Sequence, residues 1–173
     1  MLPRLTLVLG GAASGKSAFA ESLAKRTGGP LTYLATAQVF DDEMQDKVAR
    51  HRAERGAGWR TIEEPFDVGR ALAKVEAHET VLLDCATMWL SNHLLAETPL
   101  AEVQGALVSG LAECPASVIV VSNETGQSVV PENALARRFR QAQGELNQVL
   151  ASKAGLVVNV IAGLPLVLKG DLP

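Results

Sequence analysis

Residues 5–24 read LTLVLGGAASGKSAFAESLA, and the rest of the chain is best understood outward from them. Leu5 to Leu9 is a short apolar run, the pattern of a strand buried on both faces. A helix is expected from about Gly15 to Arg26, ended by Thr27-Gly28-Gly29-Pro30. Between the two lies Gly10-Gly11-Ala12-Ala13-Ser14-Gly15-Lys16-Ser17, which matches G-x-x-x-x-G-K-[ST] at every fixed position. The glycines let the backbone bend until successive N–H groups point inward. The positive end of the following helix adds to an anion site. In such a loop Lys16 reaches the terminal phosphates of a nucleotide, and Ser17 holds Mg²⁺.

The chain has 173 residues, 47% of them hydrophobic and 20% charged, which suits one domain over residues 1–173. The net charge of -3 leaves no basic field to draw nucleic acid. No apolar run approaches the ~20 residues of a membrane span, and the short apolar start reads as a strand and not a signal peptide. Cys85 and Cys114 form neither a disulfide framework nor a zinc pattern, so the cytoplasm is the expected compartment.

Apolar runs alternate with helical stretches, which predicts an α/β fold of three layers with a mostly parallel sheet. Strands are expected at LTYLATA (31–37), TVLLDC (80–85), SVIVVSN (117–123), LVVNVIAG (156–163) and LPLVLKG (164–170). Helices are expected from Asp41 to Gly56, weakly from Phe66 to Ala77, then over 88–96, 99–113 and 131–155. The last two runs meet at Gly163 to Pro165, too short a connection for a crossover, so that pair should be antiparallel.

Two further positions bear on chemistry. Asp84 closes the run VLLD, where an acidic residue near a phosphate loop can hold the metal; the competing role is a cap for the next helix. His51 lies among Arg50, Arg52 and Arg55, on a helical face with Met44, Lys47 and Val48. Neighbouring cations favour a neutral imidazole, which is nucleophilic, and they attract phosphate. The same pattern also describes a solvated basic helix face. His78 reads as a surface residue and His93 as partly buried or polar-facing.

The phosphate loop together with YLATAQVFDDEM, ARHRAERGAGWRTIEEP, DCATMWLSN and SNETGQSVVPENALARRFRQAQGELNQVLA resembles one family over Leu5 to Lys169. That family is the bifunctional adenosylcobinamide kinase/adenosylcobinamide-phosphate guanylyltransferase of cobalamin biosynthesis. The resemblance implies a P-loop fold whose mostly parallel sheet ends in an antiparallel strand, and a homotrimer. It implies two reactions. ATP or GTP phosphorylates adenosylcobinamide; then GMP from GTP passes to adenosylcobinamide phosphate through a guanylyl-histidine, which falls here on His51. The match also carries nucleotide-site residues onto Ala35, Thr36 and Ala37, where backbone and hydroxyl can meet nucleotide, onto Arg52, Ala53, Glu54 and Arg55, and onto Glu63 and Asp84. Glu63 or Asp84 is suited to accept from the N1 and N2 donors of guanine. Ser122, Asn123 and Glu124 follow a strand end and are candidates to face substrate or metal. Arg137, Arg138 and Arg140 are candidates for an anion or a neighbouring subunit, or for a solvated helix face. Ala13 stands where members often carry arginine. Two other readings fit the loop alone: a single-activity kinase for a small metabolite, and a GTP-binding switch without catalysis.

Overall fold

The computed structural model describes residues 1–38, 56 and 58–173. The helix expected from Asp41 therefore lies outside the described residues, and with it His51, Arg52, Ala53, Glu54 and Arg55. The described chain runs β1 (Leu5–Gly10), α1 (Lys16–Lys25), β2 (Leu31–Ala35), β3 (Trp59–Glu63), α2 (Val68–Leu72), β4 (Thr80–Asp84), α3 (Ala86–Leu95), α4 (Leu100–Glu113), β5 (Ser117–Asn123), α5 (Ala134–Lys153), β6 (Leu156–Ile161) and β7 (Leu164–Lys169).

The strands form one sheet in the order β3-β2-β4-β5-β1-β6-β7. Every pair is parallel except β6 with β7. That last pair turns through Ala162 and Gly163, both at positive φ (51° and 80°), the two-residue hairpin geometry that follows the twist of the strands. The antiparallel ending is thus the one the short gap requires.

Side chains alternate across β1. Leu7 and Leu9 join a core with Leu72 of α2, Trp89 of α3, Leu107 of α4 and Leu146 of α5. Val8 faces the other way and packs with Ala20, Leu23 and Ala24 of α1 and with Val158 and Val160 of β6. The sheet is covered on both faces, which gives three layers and explains why its central strands read as unbroken apolar runs.

Two elements differ from expectation. Trp59–Glu63 is a strand at the sheet edge, paired with β2. Its alternation of Trp59, Thr61 and Glu63 with Arg60 and Ile62 leaves no apolar run to signal it. The weak helix expected over 66–77 shrinks to Val68–Leu72, because Asp67 caps it by accepting from the Arg70 N–H.

One helix crossing depends on the lack of side chains. A Cβ on Gly110 of α4 would lie 2.7 Å from the Gly69 Cα of α2. Gly105, on the same helix, faces open space. Gly110→Ala should therefore lower stability by about 1–3 kcal/mol through overpacking. Gly105→Ala should raise it by about 0.5–1 kcal/mol through helix propensity. Urea unfolding midpoints of the two variants against wild type check both signs.

Candidate active site

The phosphate loop connects the buried end of β1 to α1. Within it Ser14 N–H donates to the Gly11 carbonyl (3.3 Å), and Lys16 Nζ donates to the same oxygen (3.0 Å). Ala13 and Gly15 adopt positive φ, 54° and 90°, which turns the backbone back on itself. Gly15 is the N-cap of α1 and has no side chain to offer, so the first turn of α1 has no side-chain cap. An anion is the partner these N–H groups suit.

Four further strand ends lie along the same edge of the sheet as the loop. Ala35 of β2 is in register with Glu63 of β3 on one side and with Asp84 of β4 on the other. Gly10 pairs with Asn123 of β5. The candidate residues from four separate segments thus meet along the carboxyl ends of a parallel sheet, where ligands bind in open α/β folds.

Asp84 is not a helix cap. Cys85 takes that place, its Sγ accepting from the Met88 N–H. One Asp84 oxygen, Oδ2, accepts the Tyr33 hydroxyl (2.9 Å). Tyr33 packs with α1 residues, so Asp84 opens on the side of the sheet where Lys16 and Ser17 begin that helix. Charges from Asp84 and Lys16 both reach the Cys85 thiol. Glu63 is exposed at the edge of the sheet.

Other expected contacts are taken up within the protein. Thr36 was expected to offer its hydroxyl to nucleotide. Instead that hydroxyl is fully buried, donates to the Cys85 carbonyl (2.7 Å) and accepts from the Cys85 N–H (3.0 Å). Ser122 was a candidate to face substrate or metal, but it is fully buried. Its hydroxyl donates to Asn147 Oδ1 (2.6 Å) and accepts from Gln143 Nε2 (2.9 Å). Asn147 also donates to the Asn123 carbonyl (3.0 Å), while the Glu124 N–H donates to the Gly10 carbonyl (3.0 Å). The end of β5 is thereby tied both to α5 and to the phosphate loop. Arg137 donates to the Pro131 carbonyl (3.0 Å) and Arg140 to that of Gly126, so both fasten the connection between β5 and α5. Arg138 is exposed.

Tyr33, Asn92, Gln143 and Asn147 escaped the sequence reading. Asn92 is buried and donates to the carbonyls of Thr36 (2.7 Å) and Pro65 (3.0 Å), clamping the ends of β2 and β3 together. The spacing of Gln143 and Asn147, four apart on one helix, was the available signal for a buried polar pair. His93 is buried against Trp89 and Phe66 and bonded to Thr98, and His78 is exposed beside Glu76, so both serve structure.

A family model described as cobinamide kinase / cobinamide phosphate guanyltransferase matches residues 6–168, nearly the whole chain and every part of the site above. The chain belongs to this family. Curated relatives agree. The bifunctional adenosylcobalamin biosynthesis protein CobP of Pseudomonas aeruginosa is 46% identical, covering 95% of this chain and 97% of its own. CobU of Escherichia coli is 37% identical, with 95% and 99% covered, and CobU of Salmonella typhimurium 36%, with the same coverage. Two solved structures share the fold alone. The flagellar accessory protein FlaH of Methanocaldococcus jannaschii superposes with a TM-score of 0.53 at 12% identity over 97% of this chain and 79% of its own. The RadB recombinase gives 0.50 at 21% identity over 91% and 74%. Membership in an enzyme family with kinase and guanyltransferase activities removes the switch without catalysis as a reading of the loop.

Burial pushes the Cys85 thiol up to about 11 from an ordinary 9.0; the Asp84 charge adds to this and the Lys16 charge opposes it. The folded protein therefore keeps a proton that the unfolded chain releases first. The resulting stabilisation is complete below about pH 9 and is lost as pH rises through about 11, amounting to roughly 2–3 kcal/mol. Urea unfolding between pH 8 and pH 11.5 should show that fall, to which the Cys114 thiol, also raised by burial, adds, and Cys85→Ala should reduce it.

Proposed function

We propose that this chain, as one catalytic unit over residues 1–173, carries out both reactions of its family on adenosylcobinamide. The reading rests on one observation: the family match covers residues 6–168, which include the phosphate loop, the R-H-R segment and the strand ends Glu63, Asp84 and Asn123. In the first step ATP or GTP gives its γ-phosphoryl group to the hydroxyl of the aminopropanol arm. In the second, a neutral nitrogen of His51 attacks the α-phosphorus of GTP, the bond to pyrophosphate breaks, and a P–N bond forms. The phosphate of adenosylcobinamide phosphate then attacks the same phosphorus and His51 leaves, giving adenosylcobinamide-GDP.

The phosphate loop supports this by its folded form, with Lys16 Nζ bonded to the Gly11 carbonyl and no side-chain cap on the start of α1. Lys16 and the loop backbone steady the charge that builds on the transferring and leaving oxygens. The Ser17 hydroxyl and the Asp84 carboxylate are hard oxygen donors of the kind Mg²⁺ takes, and the Tyr33 bond occupies only one Asp84 oxygen. Mg²⁺ held there supplies further neutralisation of phosphate charge. Glu63 stands exposed at the sheet edge in register with Ala35, the better placed of the two carboxylates to accept from guanine if Asp84 serves the metal.

The homotrimer that the resemblance implies would account for a surface feature. β7 lies at the sheet edge with Leu164, Leu166 and Leu168 all exposed, as is Ile161 at the end of β6. An edge of this kind favours pairing with another chain. Among the described residues no helix is long and apolar enough to cross a membrane, and both cysteines are buried free thiols, in keeping with a reducing cytoplasm.

Incubation with Mg²⁺ and GTP labelled at the α-phosphate, followed by denaturation, should leave label on the protein. The label should be lost in acid, survive in base and be absent from His51→Ala, which should keep most of its kinase activity. No retained label, in protein shown to bind GTP, would leave a kinase alone. Lys16→Ala should slow both steps by about 10²–10³-fold, as loss of one charge-stabilising donor does; steady-state assays of each step check this.

A further inference from the structure

Both outer glycines of the phosphate loop lie against one neighbouring element, the hairpin of β6 and β7. A Cβ on Gly10 would fall 2.8 Å from the Val160 carbonyl oxygen of β6 and would also strike the loop's own Ser14 hydroxyl. A Cβ on Gly15 would fall 3.2 Å from the Cα of Gly163 in the hairpin turn. The turn is also bonded to the loop, since the Gly163 N–H donates to the Ser14 carbonyl at 2.8 Å. The Ser14 side chain does not share that task, for its buried hydroxyl has no hydrogen-bond partner among the described residues.

The Ser14 carbonyl and the Gly15 N–H belong to one peptide group. In a planar trans peptide the two point in opposite directions. Holding the carbonyl toward the hairpin therefore turns the Gly15 N–H away from it. Gly15 sits at φ 90°, a conformation with little of its own to hold it in place, since glycine samples both signs of φ freely. An outside bond is what makes one orientation persist.

We propose that the Ala162–Gly163 turn is a positioning element for the nucleotide site. By holding the Ser14 carbonyl, the Gly163 N–H sets the direction of the Gly15 N–H toward phosphate, so the last hairpin of the chain controls nucleotide affinity without touching nucleotide. The inference rests on reading the loop as the nucleotide site. It assigns a functional reason to a left-handed glycine far along the chain. A Cβ at Gly163 itself would meet nothing within 4 Å among the described residues, so no described neighbour requires the lack of a side chain there.

The test deletes the one hydrogen. Glycolic acid replaces Gly163 in a synthetic C-terminal segment joined to the expressed chain, which turns the amide into an ester and leaves φ unrestricted. Val167→Ala, in β7 and away from the loop, is the control for general weakening of the hairpin. Binding of GTP is measured by calorimetry, KM and kcat for guanylyl transfer by assay, and melting temperature alongside. The ester should raise the Kd and KM for GTP about tenfold while kcat stays within threefold. Val167→Ala should leave Kd within twofold even where it lowers the melting temperature as much. Gly163→Ala, made recombinantly, bends the same turn and should also weaken GTP, which covers an ester protein that does not fold. Wild-type affinity in the ester, or equal loss in Val167→Ala, overturns the inference. Wild-type protein that binds no GTP at all would instead overturn the reading of the loop on which it rests.

Discussion

The hydrogen bonding of β1 to β5 on one side and to β6 on the other is the constraint from which the rest of the site follows. A strand paired on both edges and covered on both faces has no freedom to shift. It delivers Gly10 to one place, and the phosphate loop must begin there. The register with β5 puts Asn123 beside Gly10, and the Glu124 N–H closes onto the Gly10 carbonyl. The register with β6 puts the Val160 carbonyl under the same glycine. The Val160 carbonyl and the loop's own Ser14 side chain leave no room for a Cβ at the start of the loop.

The strand ends facing the loop are set by a chain of buried polar contacts, each linking two elements. Thr36 couples β2 to the start of α3 through Cys85, and Asn92 of α3 reaches back to the ends of β2 and β3. Tyr33 of β2 fixes Asp84 of β4. Gln143 and Asn147 of α5 hold Ser122 and Asn123 of β5. Each of these groups is costly to bury unpaired, so the network resists the loss of any single member. Its effect is to keep four strand ends in one arrangement, with Asp84 and Glu63 left at the rim.

Much of this was legible in the residues. Among the described residues the apolar runs marked six of the seven strands: five because a buried parallel strand has no polar face to interrupt it, and β7 by its own apolar run at an exposed, antiparallel edge. The edge strand Trp59–Glu63 was not legible as a strand, since it pairs along one edge only and its five residues are mostly polar. Asp84 was legible as a site residue by its position after VLL. Whether it capped a helix was not, because Cys85 competes for the same N–H groups, and only the folded backbone at the start of α3 settles which one reaches them. Thr36 and Ser122 carried the residue types of ligand contacts, but a hydroxyl serves a neighbouring strand or helix just as well, and burial decided between the two.

The sequence by itself determined the phosphate loop, the alternation of strands and helices and the antiparallel ending, because each is written in local spacing: glycine and lysine at fixed intervals, apolar runs of strand length, and a gap too short to cross a sheet. Only the tertiary structure decided the strand order, the partners of the buried polar groups and the contact of the last hairpin with the first loop. Gly163 and Ser14 are separated by most of the chain, and nothing local to either residue announces the other. They meet because β6 pairs with β1, and that pairing is a property of the whole sheet.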